Sequence, residues 1–157
     1  MIRNTEKPVP DTAPEVHKEV LRLFESEQRG RILDMGAGEG ALSYALKRLG
    51  FEVYACDIVN KLKVGGIPYT HWDLNSREKP YDEKFFDYIA CIEVLEHLEN
   101  PSRLVRQIKR ILKPSGKLIL STPNILSIDS RISFLMSGYF SFFGKQIKEH
   151  INPIPFW

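Results

Sequence analysis

Ile32-Leu33-Asp34-Met35-Gly36-Ala37-Gly38-Glu39-Gly40 joins an apolar run to three alternating glycines. Arg31 to Met35 reads as a strand, and Ala41 to Leu49 reads as a helix closed by Gly50 in the C′ position. The glycines therefore sit where strand becomes helix. Lacking Cβ atoms, they permit a sharp turn and let a ligand lie against the backbone near the positive end of the helix. The spacing is G-x-G-x-G, and Ala41 stands where a dinucleotide fingerprint would need its third glycine. No G-x-x-x-x-G-K-[ST] follows, so this is not a P-loop. An ordinary tight turn is the plain reading against which a cofactor site is weighed.

Outward from the turn, strands and helices alternate. Phe51 to Cys56 alternates as a second strand and delivers Asp57 to its carboxyl end, where an acid meets ribose hydroxyls in open α/β sheets. Ile67 to His71 can form a short third strand ending in Trp72-Asp73-Leu74-Asn75. Phe85 to Ile92 is a fourth, nearly continuous apolar strand, and Lys117 to Thr122 a fifth, reached after Lys113-Pro114-Ser115-Gly116. Between them, Asn100 as cap and Pro101 at the first helical position open a helix through Leu112. Leu104, Val105, Ile108, Ile111 and Leu112 form its apolar stripe. Such alternation predicts an α/β fold with a doubly wound, mostly parallel sheet in one domain over residues 1–157.

The glycine segment resembles motif I of the class I S-adenosylmethionine-dependent methyltransferases, and the rest of the chain has that family's order of elements. The resemblance implies a Rossmann-like sheet of five strands in the order 3-2-1-4-5, without the family's usual terminal strand pair. It implies that Asp34 supports the turn and that the methionine end of S-adenosylmethionine lies over Gly36, Ala37, Gly38 and Gly40. Asp57 and the adjoining Ile58 would hold the ribose, Asp73 would accept from the adenine amino group, and Trp72 or Leu74 would flank the ring. Ile92 and Glu93, at the end of the fourth strand, complete the implied cofactor set.

After that strand comes Glu93-Val94-Leu95-Glu96-His97-Leu98. As a helical turn it would project Glu93, Glu96 and His97 to one side while Val94, Leu95 and Leu98 face the sheet. The run is similar to motif IV of many class I methyltransferases, where it orients the cofactor and walls the site. It also resembles the E-x-x-E-H of ubiquinone-biosynthesis O-methyltransferases and small-RNA terminal 2′-O-methyltransferases, which hold a divalent ion with it. The RNA enzymes add a histidine downstream of T-P-N; here Thr122-Pro123-Asn124 is followed by Glu149-His150-Ile151-Asn152. The implied metal set is Glu93, Glu96, His97 and His150, with Mg²⁺, Mn²⁺ or Zn²⁺ favouring a substrate hydroxyl as alkoxide. His150, with Glu93 and His97, would then be catalytic; His150 alone would serve as a metal-free general base.

Composition adds limits. The chain has 157 residues, 43% hydrophobic content and a net charge of +2, which carries no bulk signature for nucleic acid. The basic residues Arg103, Arg106, Lys109, Arg110 and Lys113 read as the wet face of their helix. Cys56 and Cys91 read as free buried thiols. Thr12-Ala13-Pro14-Glu15 resembles a capping box before a helix through Phe24, and residues 1–10 are expected to be loose. No apolar run approaches the ~20 residues of a membrane helix and no signal-peptide core is visible, so a cytoplasmic location is the expectation.

The acceptor side is expected from residues 125–157, where Phe134, Tyr139, Phe140, Phe142, Phe143, Phe156 and Trp157 surround Gly138 and Gly144. A lid, a cover for the sheet and an interfacial patch with Arg131, Lys145 and Lys148 toward lipid headgroups all fit. The expected acceptor is a small or lipid-like molecule, methylated at oxygen. An apolar fifth strand at the sheet edge, or the aromatic segment, would suit association with a second copy. The competing classes are a non-catalytic S-adenosylmethionine-binding or regulatory protein and an RNA 2′-O-methyltransferase-like enzyme. A nicotinamide oxidoreductase is disfavoured by the glycine spacing and by acids at both Asp57 and Asp73.

Overall fold

The structure, a computed structural model, describes residues 8–10, 12, 14–143 and 149–154. The expectations for residues 1–7, for Ala13 of the capping box, and for Gly144, Lys145, Lys148, Phe156 and Trp157 lie outside the described residues.

Helix α1 (Pro14–Glu25) precedes strand β1 (Arg31–Met35), helix α2 (Ala41–Arg48), strands β2 (Glu52–Asp57), β3 (Tyr69–His71) and β4 (Phe86–Ile92), helix α3 (Pro101–Ile111), strand β5 (Leu112–Ser121) and helix α4 (Ile128–Ser137). The sheet order is β3-β2-β1-β4-β5, and every pairing is parallel. The strand order reverses direction between β1 and β4, the kind of switch point where open α/β sheets bind ligands at their carboxyl ends.

The strands bury both faces, as their period of two requires. Leu33, Met35, Ile89 and Cys91 face one core, which Leu104, Ile108 and Ile111 of α3 complete. Ile32, Tyr88, Ala90 and Ile92 face the other, against Val20 and Phe24 of α1 and Leu42 and Leu46 of α2. There Phe24, Phe51 and Tyr88 meet edge-to-face at 5.5, 5.6 and 5.5 Å between ring centroids. Both cysteines are buried and free.

The helix ends follow local chemistry. At α2, the Phe51 amide donates to the Leu46 carbonyl and the Gly50 amide to the Lys47 carbonyl, with Gly50 at φ +94°, a Schellman closure. At α3, Asn100 Oδ1 accepts from the Arg103 amide at 3.0 Å and Pro101 occupies the first turn.

Three expectations are corrected. Helix α3 ends at Ile111, and Leu112 instead pairs with Phe86 in β5. Lys113 to Gly116 bulge outward between that pair and Tyr88–Lys117, since the only β4 residue left opposite them is Asp87. Lys113 Nζ meets Asp87 Oδ1 at 2.5 Å there, and a Cβ on Gly116 would lie 2.9 Å from the Asp87 carbonyl oxygen. Val105 is exposed, so the buried stripe of α3 is Leu104, Ile108 and Ile111.

Candidate active site

The glycine turn is a compact hydrogen-bonded structure at the carboxyl end of β1. Gly36, Gly38 and Gly40 have φ of +71°, +52° and +87°, the left-handed region in which side chains are strained. The amides of Gly36 and Ala37 both donate to the Cys56 carbonyl, at 2.9 and 3.1 Å, which ties the turn to the end of β2. Asp57 Oδ2 accepts from the Gly38 amide at 2.8 Å and Oδ1 from the Ile58 amide at 2.7 Å. Asp34 is buried beneath the turn, its Oδ2 accepting from Ser43 Oγ of α2 at 2.6 Å. Burial pushes its carboxyl up to about 6, against the opposing hydrogen bond from Ser43. Helix α2 begins at Gly40 with no side-chain cap, leaving its first amides for a ligand.

A pocket opens on this turn, lined by Asp34, Gly36, Ala37, Gly38, Ala41 and Ile92 and also by Val9, Pro10, Thr12 and His17. No motif marked Val9, Pro10, Thr12 and His17 as neighbours of the glycines. The Val9 amide donates to Glu39 Oε2 at 3.0 Å, and Lys63 Nζ meets Glu39 Oε1 at 2.7 Å. The side expected to take the nucleoside is open: Ile58 is exposed just beyond β2, and Asp73 lies beyond β3 with Oδ1 accepting from the Asn75 amide at 2.9 Å. Trp72 is only 1% exposed, its ring 5.9 Å edge-on from Tyr81 in the core. Of the two flanking candidates, Leu74 alone therefore keeps a surface.

The segment after β4 departs from the helical expectation. Glu93 has φ +53°, which breaks the helix register, and only Leu95–His97 form a short 3₁₀ turn. Val94, Leu95 and Leu98 are buried, as the amphipathic reading required. Glu93 accepts from Ser121 Oγ at 2.7 Å, whereas Glu96, His97 and His150 bring ligand atoms within 4.8 Å of one another. Three of the four residues expected to hold a metal are thereby brought together, and Glu93 lies outside that cluster.

Residues 149–154 are laced onto that turn. The amides of Ile151 and Asn152 donate to the Glu96 carbonyl at 2.8 and 3.0 Å, and Asn152 Nδ2 donates to the Leu98 carbonyl. His97 Nδ1 bonds the Glu149 carbonyl at 3.0 Å and His150 Nδ1 the Phe142 carbonyl at 2.8 Å. A carbonyl only accepts, so each ring donates from Nδ1, and Nε2 is the nitrogen left to face other groups. The rings lie 4.6 Å apart, edge to face. Glu96 is fully buried; Oε2 accepts from Thr122 Oγ1 at 3.2 Å, while Oε1 has no partner among the described residues. Burial raises its carboxyl above the ordinary range. An orphaned carboxylate oxygen beside two imidazoles is a donor set that fits a divalent cation, with the carbonyl bonds fixing the ring tautomers.

Residues 125–143 follow β5 and reach His150 at their end. Ile125 and Phe143 are buried, and the Phe143 ring lies 5.3 Å from that of His150. Helix α4 exposes Ile128, Ile132, Leu135 and Met136 along one stripe, Leu135 and Met136 at 83% and 82%. No helix among the described residues is long and apolar enough to cross a membrane.

A methyltransferase-domain family profile matches residues 11–155. A ubiquinone biosynthesis O-methyltransferase of Xanthomonas oryzae pv. oryzae is 38% identical over 103 residues, covering 60% of this chain and 43% of that protein. The match thus spans less than half the length of the curated relative. Among solved structures, an S-adenosylmethionine-dependent methyltransferase from Archaeoglobus fulgidus superposes with a TM-score of 0.69 at 22% identity, covering 90% of this chain and 62% of its own. A Pyrococcus horikoshii OT3 protein superposes with a TM-score of 0.65 at 26% identity, covering 76% and 61% respectively. These two likenesses share the fold described above.

Proposed function

Because the chain belongs to the methyltransferase-domain family, we propose that it uses S-adenosylmethionine to methylate a hydroxyl of a small or lipid-like acceptor. The observation that carries this reading is the alignment of two features at the carboxyl ends of the strands. One is the uncapped glycine turn beside Asp57. The other is the Glu96, His97 and His150 cluster after β4.

When bound, the cofactor supplies a methyl group already activated on a sulfonium, so the protein's tasks are alignment, exclusion of water and removal of one proton. Gly36, Ala37, Gly38 and Gly40 would carry the methionine end, Asp57 the ribose, and Asp73 the adenine amino group. Asp57 keeps capacity for this, since each carboxylate oxygen accepts one backbone amide and has a second lone pair. The acceptor's hydroxyl proton would pass to Nε2 of His150 or His97 as its oxygen attacks. Support for an apolar acceptor comes from the exposed stripe Ile128, Ile132, Leu135 and Met136 of α4.

Replacing Asp57 by Ala should weaken S-adenosylhomocysteine binding by about 1.5–3 kcal/mol, the value of charge-assisted hydrogen bonds. Isothermal titration measures it, and unchanged affinity would remove the ribose assignment.

The unpartnered Glu96 Oε1 favours a second reading of the cluster, in which Glu96, His97 and His150 hold a divalent cation. When bound, the cation would stabilise the acceptor oxygen as alkoxide. Titration with Mn²⁺, Mg²⁺ and Zn²⁺ should then show binding that His150→Ala and Glu96→Ala each weaken by about tenfold or more. Absence of binding in the unmodified protein leaves the histidines as metal-free bases and Glu96 as a wall.

A further inference from the structure

The turn that carries Asp73 is held from outside the sheet. Strand β3, which delivers it, has only three residues and pairs on one side, with β2. Asp73 lies two residues beyond its end, where so short an edge strand fixes little. Residues 73–76 close on themselves, Asp73 Oδ1 accepting from the Asn75 amide and the Asp73 carbonyl from the Ser76 amide, both at 2.9 Å. Further bonds tie Asn75 to the start of α3. Its Oδ1 accepts from the Glu99 amide at 2.9 Å, and its carbonyl accepts from Arg103 Nη1 at 2.6 Å. Arg103 is half-buried there, although its spacing along α3 reads as a solvated face, and its own amide donates to the Asn100 cap.

We infer that Asn75 and Arg103 are positioning residues for recognition of the adenine amino group, an inference that rests on the assignment of that group to Asp73 above. They act through the Asp73 carboxylate. With Oδ1 engaged by the Asn75 amide, Oδ2 is the oxygen left for the ligand, and its direction follows the turn. An acceptor displaced by about 1 Å leaves hydrogen-bonding range, so the bond needs a turn that does not move. Helix α3 supplies that rigidity, because Leu104, Ile108 and Ile111 seat it on the core. The same stretch of chain reaches the other end of the site. Leu98, just ahead of Glu99, takes Asn152 Nδ2 on its carbonyl, and the Glu96 carbonyl takes the amides of Ile151 and Asn152. Residues 96–103 thus hold both the adenine turn and the segment that brings His150 to His97.

Calorimetric titration with S-adenosylhomocysteine and with the analogue whose purine lacks the 6-amino group separates positioning from folding, because only the first presents that group to Asp73. The unmodified protein should prefer S-adenosylhomocysteine about tenfold or more. Asn75→Ala and Arg103→Leu should each cut the preference to about threefold or less, weakening S-adenosylhomocysteine while the analogue's affinity stays within about twofold. Asn75→Asp keeps an acceptor for the Glu99 amide and should retain most of the preference. Thermal melting monitors folding, and either of the two disruptive variants suffices if the other melts early. A preference that survives both substitutions, or equal losses for both ligands, overturns the positioning role and leaves the Asp73 assignment standing. An unmodified protein that binds the two ligands equally overturns that assignment and this inference together; one that binds neither overturns the cofactor reading as well.

Discussion

Gly36→Ala is expected to lose about 2–5 kcal/mol of stability and, with it, measurable cofactor binding. Two costs add. Gly36 has φ +71°, a left-handed conformation that costs a residue bearing Cβ roughly 1–2 kcal/mol. The new methyl would also lie 2.6 Å from Val94 Cγ2, far inside contact distance. Val94 cannot withdraw easily, because it is buried in the core that α3 closes. Overpacking of this kind costs about 1–3 kcal/mol. The two costs are separable by a double-mutant cycle. Val94→Ala should be destabilising alone yet restore part of the loss when combined with Gly36→Ala, leaving the backbone strain of about 1–2 kcal/mol. Urea unfolding of the four proteins measures this. Strict additivity would show that Val94 does not rest on the turn.

Asp34→Asn should make the ligand-free protein more stable at neutral pH. The carboxyl of Asp34 sits at about 6 in the folded chain, against an ordinary 3.8, because burial disfavours its charge. A folded acid with a raised pKa binds more protons than the unfolded chain between those values. Stability therefore falls as pH rises from about 4 through 6, and the full shift of about two units corresponds to roughly 3 kcal/mol. Asparagine removes that charge and keeps an oxygen to accept from Ser43. Urea midpoints across pH 4–8 should diverge above pH 5, the variant becoming the more stable, and converge below pH 4. Parallel pH profiles for the two proteins would contradict the burial argument. The residue is thus held at a cost to stability, a pattern that accompanies functional sites.

What was legible in the chain was local or periodic. The doubly wound parallel sheet followed from alternating strand and helix patterns and its order from the family resemblance, while the positive φ of Gly36, Gly38 and Gly40 fits the absence of side chains there. Asp57 stood at the end of β2 because strand period fixes where an element delivers its last residue. The illegible parts depend on contacts between distant segments. Glu93-Val94-Leu95-Glu96-His97 is made of residues compatible with a helix, yet Glu93 turns left-handed, where its amide donates to the Ser121 carbonyl and its carboxylate accepts from Ser121 Oγ. Trp72 was an adenine flank by position, and Tyr81, nine residues on, helps draw it into the core. Pro114 and Gly116 signalled a turn, but only pairing to β4 shows that the strand resumes around a bulge. His17 carried no motif at all; its place depends on how α1 packs over the sheet. The pairing of His97 with His150 likewise spans a long stretch of chain, and only the lacing of residues 149–154 onto the 3₁₀ turn produces it.

The central claim is that the glycine turn binds S-adenosylmethionine and not a dinucleotide. Isothermal titration of the unmodified protein with S-adenosylhomocysteine and, separately, with NADH tests it most directly. Saturable one-site binding of S-adenosylhomocysteine is expected, weakened by Asp57→Ala, with no heat from NADH beyond dilution. Saturable binding of NADH with none of S-adenosylhomocysteine would contradict it.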